Sequence, residues 1–450
     1  MLNKLTWAFL VIIISIHTLV LTKLIYFPYP ELFVYPYLTN HGLKPYSQIL
    51  DQHFPGLMFL PINFDNLGMK NEIIARNWSI GVIILIHLLL FFIASKILKN
   101  KQKALMVNLL YLIWQPFFEG WVLWIDSFLP LFLLPCFYFL HKKKLFLSGL
   151  LLGFGIVFKQ TLIPLAVLLI IYIWWHNKKV KDALVLLEGI TVPIALMIIY
   201  LFGIGVIKDF WYWTVIFNLT TYAKFGTSIY SDTGFLTRIS LVYLTSVIAW
   251  FNKDRRLVFI LFIFLGGSLI GAFDRASFIH LQPSLPFVVI ATTLGFYQLK
   301  RKVFFRILIL VYLMVSVWWL NIFYKGHISD KVFFFDNQTK MIASKVRQYT
   351  KPDDKIFVFG AAPLLYQMSD RLPAGNIFVF QFPWFLQVAG NRILEGIIKD
   401  KPKIIVEDRE AIIEGQPIRK FASGIDQYIQ TNYTVLDKVG NVDILRRISD

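Results

Sequence analysis

Long apolar runs, each close to the length that crosses a bilayer, alternate with short clusters of Lys and Arg along the first two thirds of the chain. A hydrocarbon core of about 30 Å needs roughly 20 helical residues. Leu5 to Ile25 has that length and lacks a small-residue cleavage site, so it reads as a first membrane helix and not as a removable signal. The basic clusters are Lys96 to Lys103, Lys142 to Lys144, Lys178 to Lys181, Lys253 to Arg256 and Lys300 to Lys302. The positive-inside rule places such clusters in the cytoplasm. Two loops on one face require an even number of crossings between them, and each interval has room for two. With one helix before a long first loop (about Tyr26 to Arg76), one returning to Lys96 and a last span (about Phe304 to Tyr324), the pattern predicts eleven crossings.

The turns between paired helices then gather on the opposite, extracytoplasmic face. They are "FFEGWVLWID" with Glu119 and Asp126, an interfacial segment of about Gly203 to Phe235 rich in Tyr, Trp and Thr, and "FDRASFIHLQPSLP" with Asp274, Arg275 and His280. The run from Leu145 to Trp175 is too long for one upright span and short for two, with Lys159 at its middle, so two short helices meeting at Lys159 are expected. Beyond Lys325 the apolar runs stop. "KIFVFG", "NIFVF" and "KIIVE" read as short buried strands, "FLQVAGNRILEGIIKD" as an amphipathic helix, and "YTVLDKVGNVDILRR" as a hairpin turning at Gly440 and Asn441. The expected architecture is a polytopic α-helical membrane domain over residues 1–324 and a small soluble α/β domain over 325–450, extracytoplasmic by parity.

Composition agrees with this reading. Hydrophobic residues make up 57% of the chain and charged residues 16%, with mean hydropathy +0.62, against about 25% charged in a typical soluble domain. The net charge of +18 reports topology, since the cations sit in the loops, and nucleic acid is not an expected partner. Fifteen of the 27 acidic residues lie beyond position 324, against eighteen of the 45 Lys and Arg, which marks that segment as soluble. Cys136 is the single cysteine, so neither a disulfide framework nor a thiolate metal site can be built.

An ionisable group within a span costs on the order of 2.5 to 3.5 kcal/mol on insertion scales, so each needs a partner or a role. Glu31, in the first loop, has the chemistry of a general base for an acceptor hydroxyl, or is a solvated interfacial charge. Asp126, in an acidic turn with Glu119, would assist it or hold an acceptor, unless these acids only cap helices at a turn. Lys159 would neutralise a lipid phosphate as a compact point charge, or snorkel to the interface. Arg275 and His280 would bind phosphate oxygens, unless Arg275 pairs only with Asp274. Glu31, Asp51 and His53 could hold a divalent cation, although their spacing matches no specific site; no other cofactor is indicated, and no Walker-type loop is present. "GLLLGFG" reads as close helix packing. Asn77, Asn218, Asn337 and Asn432 open N-x-S/T triplets.

At these positions the sequence resembles the GT-C superfamily of membrane glycosyltransferases, in particular the bacterial relatives of dolichyl-phosphate-mannose-protein mannosyltransferases. The resemblance rests on Glu31, "GLKPY" at Gly42 to Tyr46, "DQHFPG" at Asp51 to Gly56, the Gly149 to Thr161 element, Arg275 to Pro286, and Asp354 to Arg371. Where family members often carry Asp-Glu this chain has Pro30-Glu31, and Gln48 stands where an acid is frequent. The resemblance implies sugar transfer from a polyprenyl-phosphate-linked donor among membrane lipids to a glycan, lipid or protein acceptor. Glu31, Asp51 and Asp126 would form the catalytic carboxylates, Lys159, Arg275 and His280 the donor-phosphate site, and His53 and Glu119 the acceptor or orienting groups. The alternative, a carrier or flippase for lipid-linked sugars, would place its charges at the bilayer midplane in two related halves. Here the polar groups fall at helix ends, and no related halves are visible.

Overall fold

The computed structural model describes residues 2–225, 233–270, 277–299 and 303–448. A helical segment stands at each of the eleven places where the apolar pattern predicts a crossing. These are α1 (Leu2–Lys23), α2 (Glu72–Ile97), α3 (Lys101–Phe117), α4 (Pro130–His141), α5 (Leu145–Phe158) and α6 (Ile163–Asn177). They continue as α7 (Val180–Gly203), α8 (Thr233–Tyr243, extended by a 3-10 stretch Leu244–Phe251), α9 (Arg255–Leu269), α10 (Leu285–Leu299) and α11 (Val303–His327). Among the described residues six helical stretches are long and apolar enough to span a bilayer: α1, α2, α6 with the 3-10 turn Gln160–Leu162 before it, α7, α8 with its extension, and α11.

Chain contacts divide the molecule into two compact units. The first comprises Met1–Phe27, Ile73–Met197 and Gly226–Lys331, and the second Pro28–Glu72, Ile198–Phe225 and Val332–Asp450. The first loop therefore packs in the same unit as the C-terminal segment.

In the first unit, helix starts and stops follow local chemistry. The Asn100 side chain accepts from the Lys103 N–H at 3.0 Å to cap α3, and Asp254 accepts from Leu257 at 3.0 Å to cap α9. The "GLLLGFG" run lets α5 and α7 meet backbone to backbone: a Cβ on Gly149 would stand 2.1 Å from the Leu186 carbonyl, and one on Gly189 would stand 2.3 Å from that of Phe146. Close approach of this kind is how helices associate where lipid removes the hydrophobic drive. A buried polar chain joins α1, α2 and α3. Asn108 Nδ2 donates to the Ala104 carbonyl, so its Oδ1 accepts from His87 Nδ1 at 2.8 Å. His87 Nε2 then accepts from His17 Nδ1 at 2.8 Å, and His17 Nε2 lies 3.0 Å from Gln115 Oε1.

The second unit holds a four-stranded sheet, β1 (Ile356–Phe359), β2 (Ile404–Glu407), β3 (Tyr433–Val439) and β4 (Val442–Arg447), in the order β1-β2-β4-β3. β1 and β2 are parallel, with Val358 beside Val406, and their connection includes the expected amphipathic helix, Pro383–Asp400. β4 runs antiparallel to both β2 and β3, and Gly440 at φ +62° makes the hairpin turn. The "NIFVF" strand stays outside this sheet: Phe378–Val379 pairs in parallel with Ile49–Leu50 of the first loop.

Glu407, at the end of β2, is 3% exposed and accepts from Gln430 Nε2 through both oxygens at 3.1 and 3.2 Å. Burial raises its carboxyl from an ordinary 4.5 to about 7, Gln430 working against the shift. The folded domain thus holds a proton that the unfolded chain releases, so stability from this group is complete below pH 4.5 and is lost as pH rises through about 7. Protection factors of amides in β2 and β4, with the intrinsic pH dependence of exchange divided out, should fall between these limits and level off above them. Glu407→Gln should flatten the dependence, and an unchanged slope in that variant would rule Glu407 out as its source.

Candidate functional site

The junction of α5 and α6 is built by sequence. Lys159 leaves the helix with extended backbone (φ −154°, ψ 116°), its N–H closing the last turn of α5 on the Gly155 carbonyl at 2.9 Å, and Pro164 opens α6 after a 3-10 turn at Gln160–Leu162. Proline lacks the N–H that a continuing helix needs, so it suits a helix start. Lys159 is only 4% exposed, and its ammonium meets Asp126 Oδ2 at 2.5 Å and His280 Nδ1 at 3.1 Å. Asp126, 2% exposed, lies in a 3-10 turn (Ile125–Ser127) that precedes α4, and its Oδ2 is also 3.1 Å from His280 Nδ1. Three residues separated by up to 154 positions thus share one buried contact. The carboxylate compensates the ammonium and lies within hydrogen-bond reach of the imidazole, so Lys159 and His280 are both held at the helix break.

Glu119 does not join this cluster. It stands at φ +56° between α3 and α4, where its Oε2 accepts from Ser277 Oγ and from the Ile279 N–H, both at 2.9 Å. Burial raises its carboxyl above the ordinary range, while those two hydrogen bonds and the Arg238 charge work the other way. Its place is therefore to hold the 3-10 segment Phe278–Leu281 that carries His280. Gln282 holds the same segment from its other end, donating through Nε2 to the carbonyls of Gln115 at 3.1 Å and Phe118 at 2.5 Å. These include an acceptor that the end of α3 leaves without an intrahelical partner.

Two participants were not visible in the chain pattern. Gln282 is a single amide before a proline, without a charge to flag it. Arg238 sits in the apolar run of α8 and lies 4.8, 5.0 and 5.8 Å from the ring centroids of Phe278, Phe117 and Trp319. The signal that could have found Arg238 is an arginine inside a spanning stretch. Asp274 and Arg275 lie outside the described residues.

In the second unit, the acids of the first loop gather around a tyrosine. Glu31 opens the helix Glu31–Asn40 after Pro30 and is 8% exposed; Asp51 is 1% exposed. His53 Nδ1 lies 3.0 Å from both Asp51 oxygens, and the Tyr46 hydroxyl donates to the His53 carbonyl at 2.9 Å. The Tyr35 hydroxyl is pushed well above its ordinary range by burial, then by the charges of Asp51 and Glu31. Glu31, Asp51 and His53 thus belong to one carboxylate-rich neighbourhood. Asn218 supports it, donating through Nδ2 to the Gln52 carbonyl at 3.0 Å and to that of Thr214 at 2.9 Å, so the amide of this N-x-T triplet is in structural use.

No protein-family model matches the chain, and no curated protein sequence matches it. Its fold, however, is that of solved membrane transferases. The crystal structure of ArnT from Cupriavidus metallidurans bound to undecaprenyl phosphate superposes with a TM-score of 0.68 at 11% identity, covering 100% of this chain and 99% of that one. The archaeal oligosaccharyltransferase AglB from Archaeoglobus fulgidus, in complex with an inhibitory peptide and a dolichol-phosphate, gives a TM-score of 0.50 at 11% identity, over 97% of this chain and 74% of that one. The chain is a multi-pass membrane protein with the GT-C fold.

Removing one member of a buried pair strands the other. Asp126→Asn is expected to lower stability by about 3–5 kcal/mol. The double variant Asp126→Leu with Lys159→Met should recover most of that loss in detergent thermal unfolding. A single variant that melts with the wild type would show that Lys159 does not depend on Asp126.

Proposed function

We propose that this protein transfers a sugar from a polyprenyl-phosphate-linked donor to an acceptor hydroxyl at the extracytoplasmic face of the membrane, inverting the anomeric centre. The observation that carries the reading is the buried Asp126–Lys159–His280 contact at a helix break, on a fold whose solved neighbours hold polyprenyl phosphates. Cations fixed in a water-poor setting, with their orientation already determined, are what a developing phosphate charge requires.

The reaction is an inverting displacement. A loop carboxylate, Glu31 with Asp51 as its neighbour, takes the acceptor proton, and the acceptor oxygen forms its bond to the anomeric carbon from the face opposite the phosphate. The bond from that carbon to the phosphate oxygen breaks, and its electron pair leaves with the lipid phosphate, which gains one negative charge. Lys159 and His280 meet that charge, and Asp126 keeps both in position. The same parity that places the basic clusters in the cytosol puts the first loop and the C-terminal domain on the extracytoplasmic side. His53, held by Asp51, orients the base or the acceptor.

The test is transfer by purified protein in proteoliposomes supplied with a panel of undecaprenyl-phosphate sugars and a cell-envelope acceptor extract. Wild type should cleave one donor and yield free undecaprenyl phosphate, with Glu31→Gln slowed in kcat. Lys159→Met, paired with Asp126→Asn so that no carboxylate is stranded, should lose about 100-fold or more. Transbilayer movement of labelled donor without cleavage would replace the transferase by a carrier.

A further inference from the structure

Within the second unit, the end of α7 and the helical stretch after it both expose large apolar side chains. α7 is a membrane-spanning helix by length and hydropathy, and α8, which begins at Thr233, is the next one. A connection between two successive spans starts and ends at the same face of the bilayer. Its described part, 204–225, is helical over Ile207–Trp211, Tyr212–Phe217 and Asn218–Thr220, the middle piece being a π-helix.

The two sides of this stretch differ sharply. Phe210, Trp213 and Phe217 are buried at 3%, 4% and 0% exposure. Phe210 packs on Tyr46 and Phe54 with ring centroids 5.2 Å away in both cases, and Phe217 stacks on Phe385 at 5.2 Å with the rings nearly parallel. On the other side, Trp211 is 57%, Ile216 41% and Leu219 75% exposed. Ile199 and Phe202, near the end of α7, are 66% and 73% exposed on a helix long and apolar enough to span a bilayer.

We propose that residues 207–220 lie along the bilayer surface as an interfacial helix, with Trp211, Ile216 and Leu219 immersed in the boundary between headgroups and acyl chains. The occupant of the face is lipid because the stretch follows directly on a helix of spanning length, whose own end exposes Ile199 and Phe202, and precedes the next such helix. Tryptophan and tyrosine are the residues that favour this depth, and an interfacial helix buries its apolar side about 5–10 Å into that boundary. Tyr212, 36% exposed, and the exposed Lys208 complete the amphipathic arrangement. Through Asn218 and the Gln52 carbonyl, the opposite side of the helix holds the loop of Asp51 and His53, so lipid seats that loop. The proposal holds whichever reaction the protein catalyses.

The experiment uses single-cysteine labels on the full chain in lipid nanodiscs, where the one native cysteine, Cys136, is buried. Nitroxide is placed at Trp211→Cys and Leu219→Cys, with Ile199→Cys as the membrane reference and Val435→Cys, on exposed strand β3, as the aqueous reference. Collisional relaxation by oxygen should exceed that by a water-soluble nickel chelate several-fold at 211, 219 and 199, and fall below it at 435. All four sites are exposed, so folding is not at risk. Nickel accessibility at 211 and 219 equal to that at 435 would overturn the proposal, as would protection from both reagents, the signature of a protein partner.

Discussion

A charge placed among membrane helices must be compensated where it stands, because neither lipid nor the packed bundle supplies water to do so. Lys159 meets that condition through Asp126 and His280. The contact accounts for several features around it: α5 stops short of a full span, Lys159 takes extended backbone, and the turn before α4 presents its acid to the interior. A helix continuous through Lys159 would carry the ammonium on its own helical surface. The break instead places it where residues from three separate connections converge.

The imidazole in this contact belongs to a short 3-10 segment, an element with little stability of its own, and two side chains hold it from either end. Glu119 receives the Ile279 N–H and the Ser277 hydroxyl, and Gln282 donates to carbonyls at the end of α3. α3 is in turn linked through Gln115 to His17 and, through Asn108, to His87. The ordering of His280 is thereby distributed over α1, α2 and α3, joined by buried hydrogen bonds. Such support holds the imidazole in one orientation beside Lys159 and Asp126.

Much of this was legible in the chain, for reasons that can be stated. Apolar length and basic clusters locate helices because lipid thickness and membrane orientation act on local sequence, and the break at Lys159 follows from a run too long for one span with a cation at its centre. The strands and the C-terminal hairpin follow from alternation and a Gly-Asn turn. The pairing of Asp126 with Lys159 was not legible, since the two stand 33 positions apart with a helix pair between them, and only packing decides which end of a helix faces which. Glu119 shows the same limit. As an acid in a turn it resembles a site residue, yet its hydrogen bonds go to backbone and a serine. Gln282 escaped because its partners are carbonyls, which leave no pattern in sequence; Arg238 is visible as a charge in a spanning stretch, but its aromatic partners are not. The parallel pairing of Ile49–Leu50 with Phe378–Val379 joins segments more than 300 positions apart and carries no local signature.

The ammonium at the α5–α6 break is proposed to receive the phosphate of a polyprenyl lipid. Solid-state NMR reports this directly, as phosphorus–nitrogen dipolar coupling between undecaprenyl phosphate and protein carrying nitrogen-15 at the lysine side chains, in bilayers. The account predicts a coupling in the wild type that disappears in Lys159→Met. A wild type without coupling, or a coupling that survives in Lys159→Met, would contradict it.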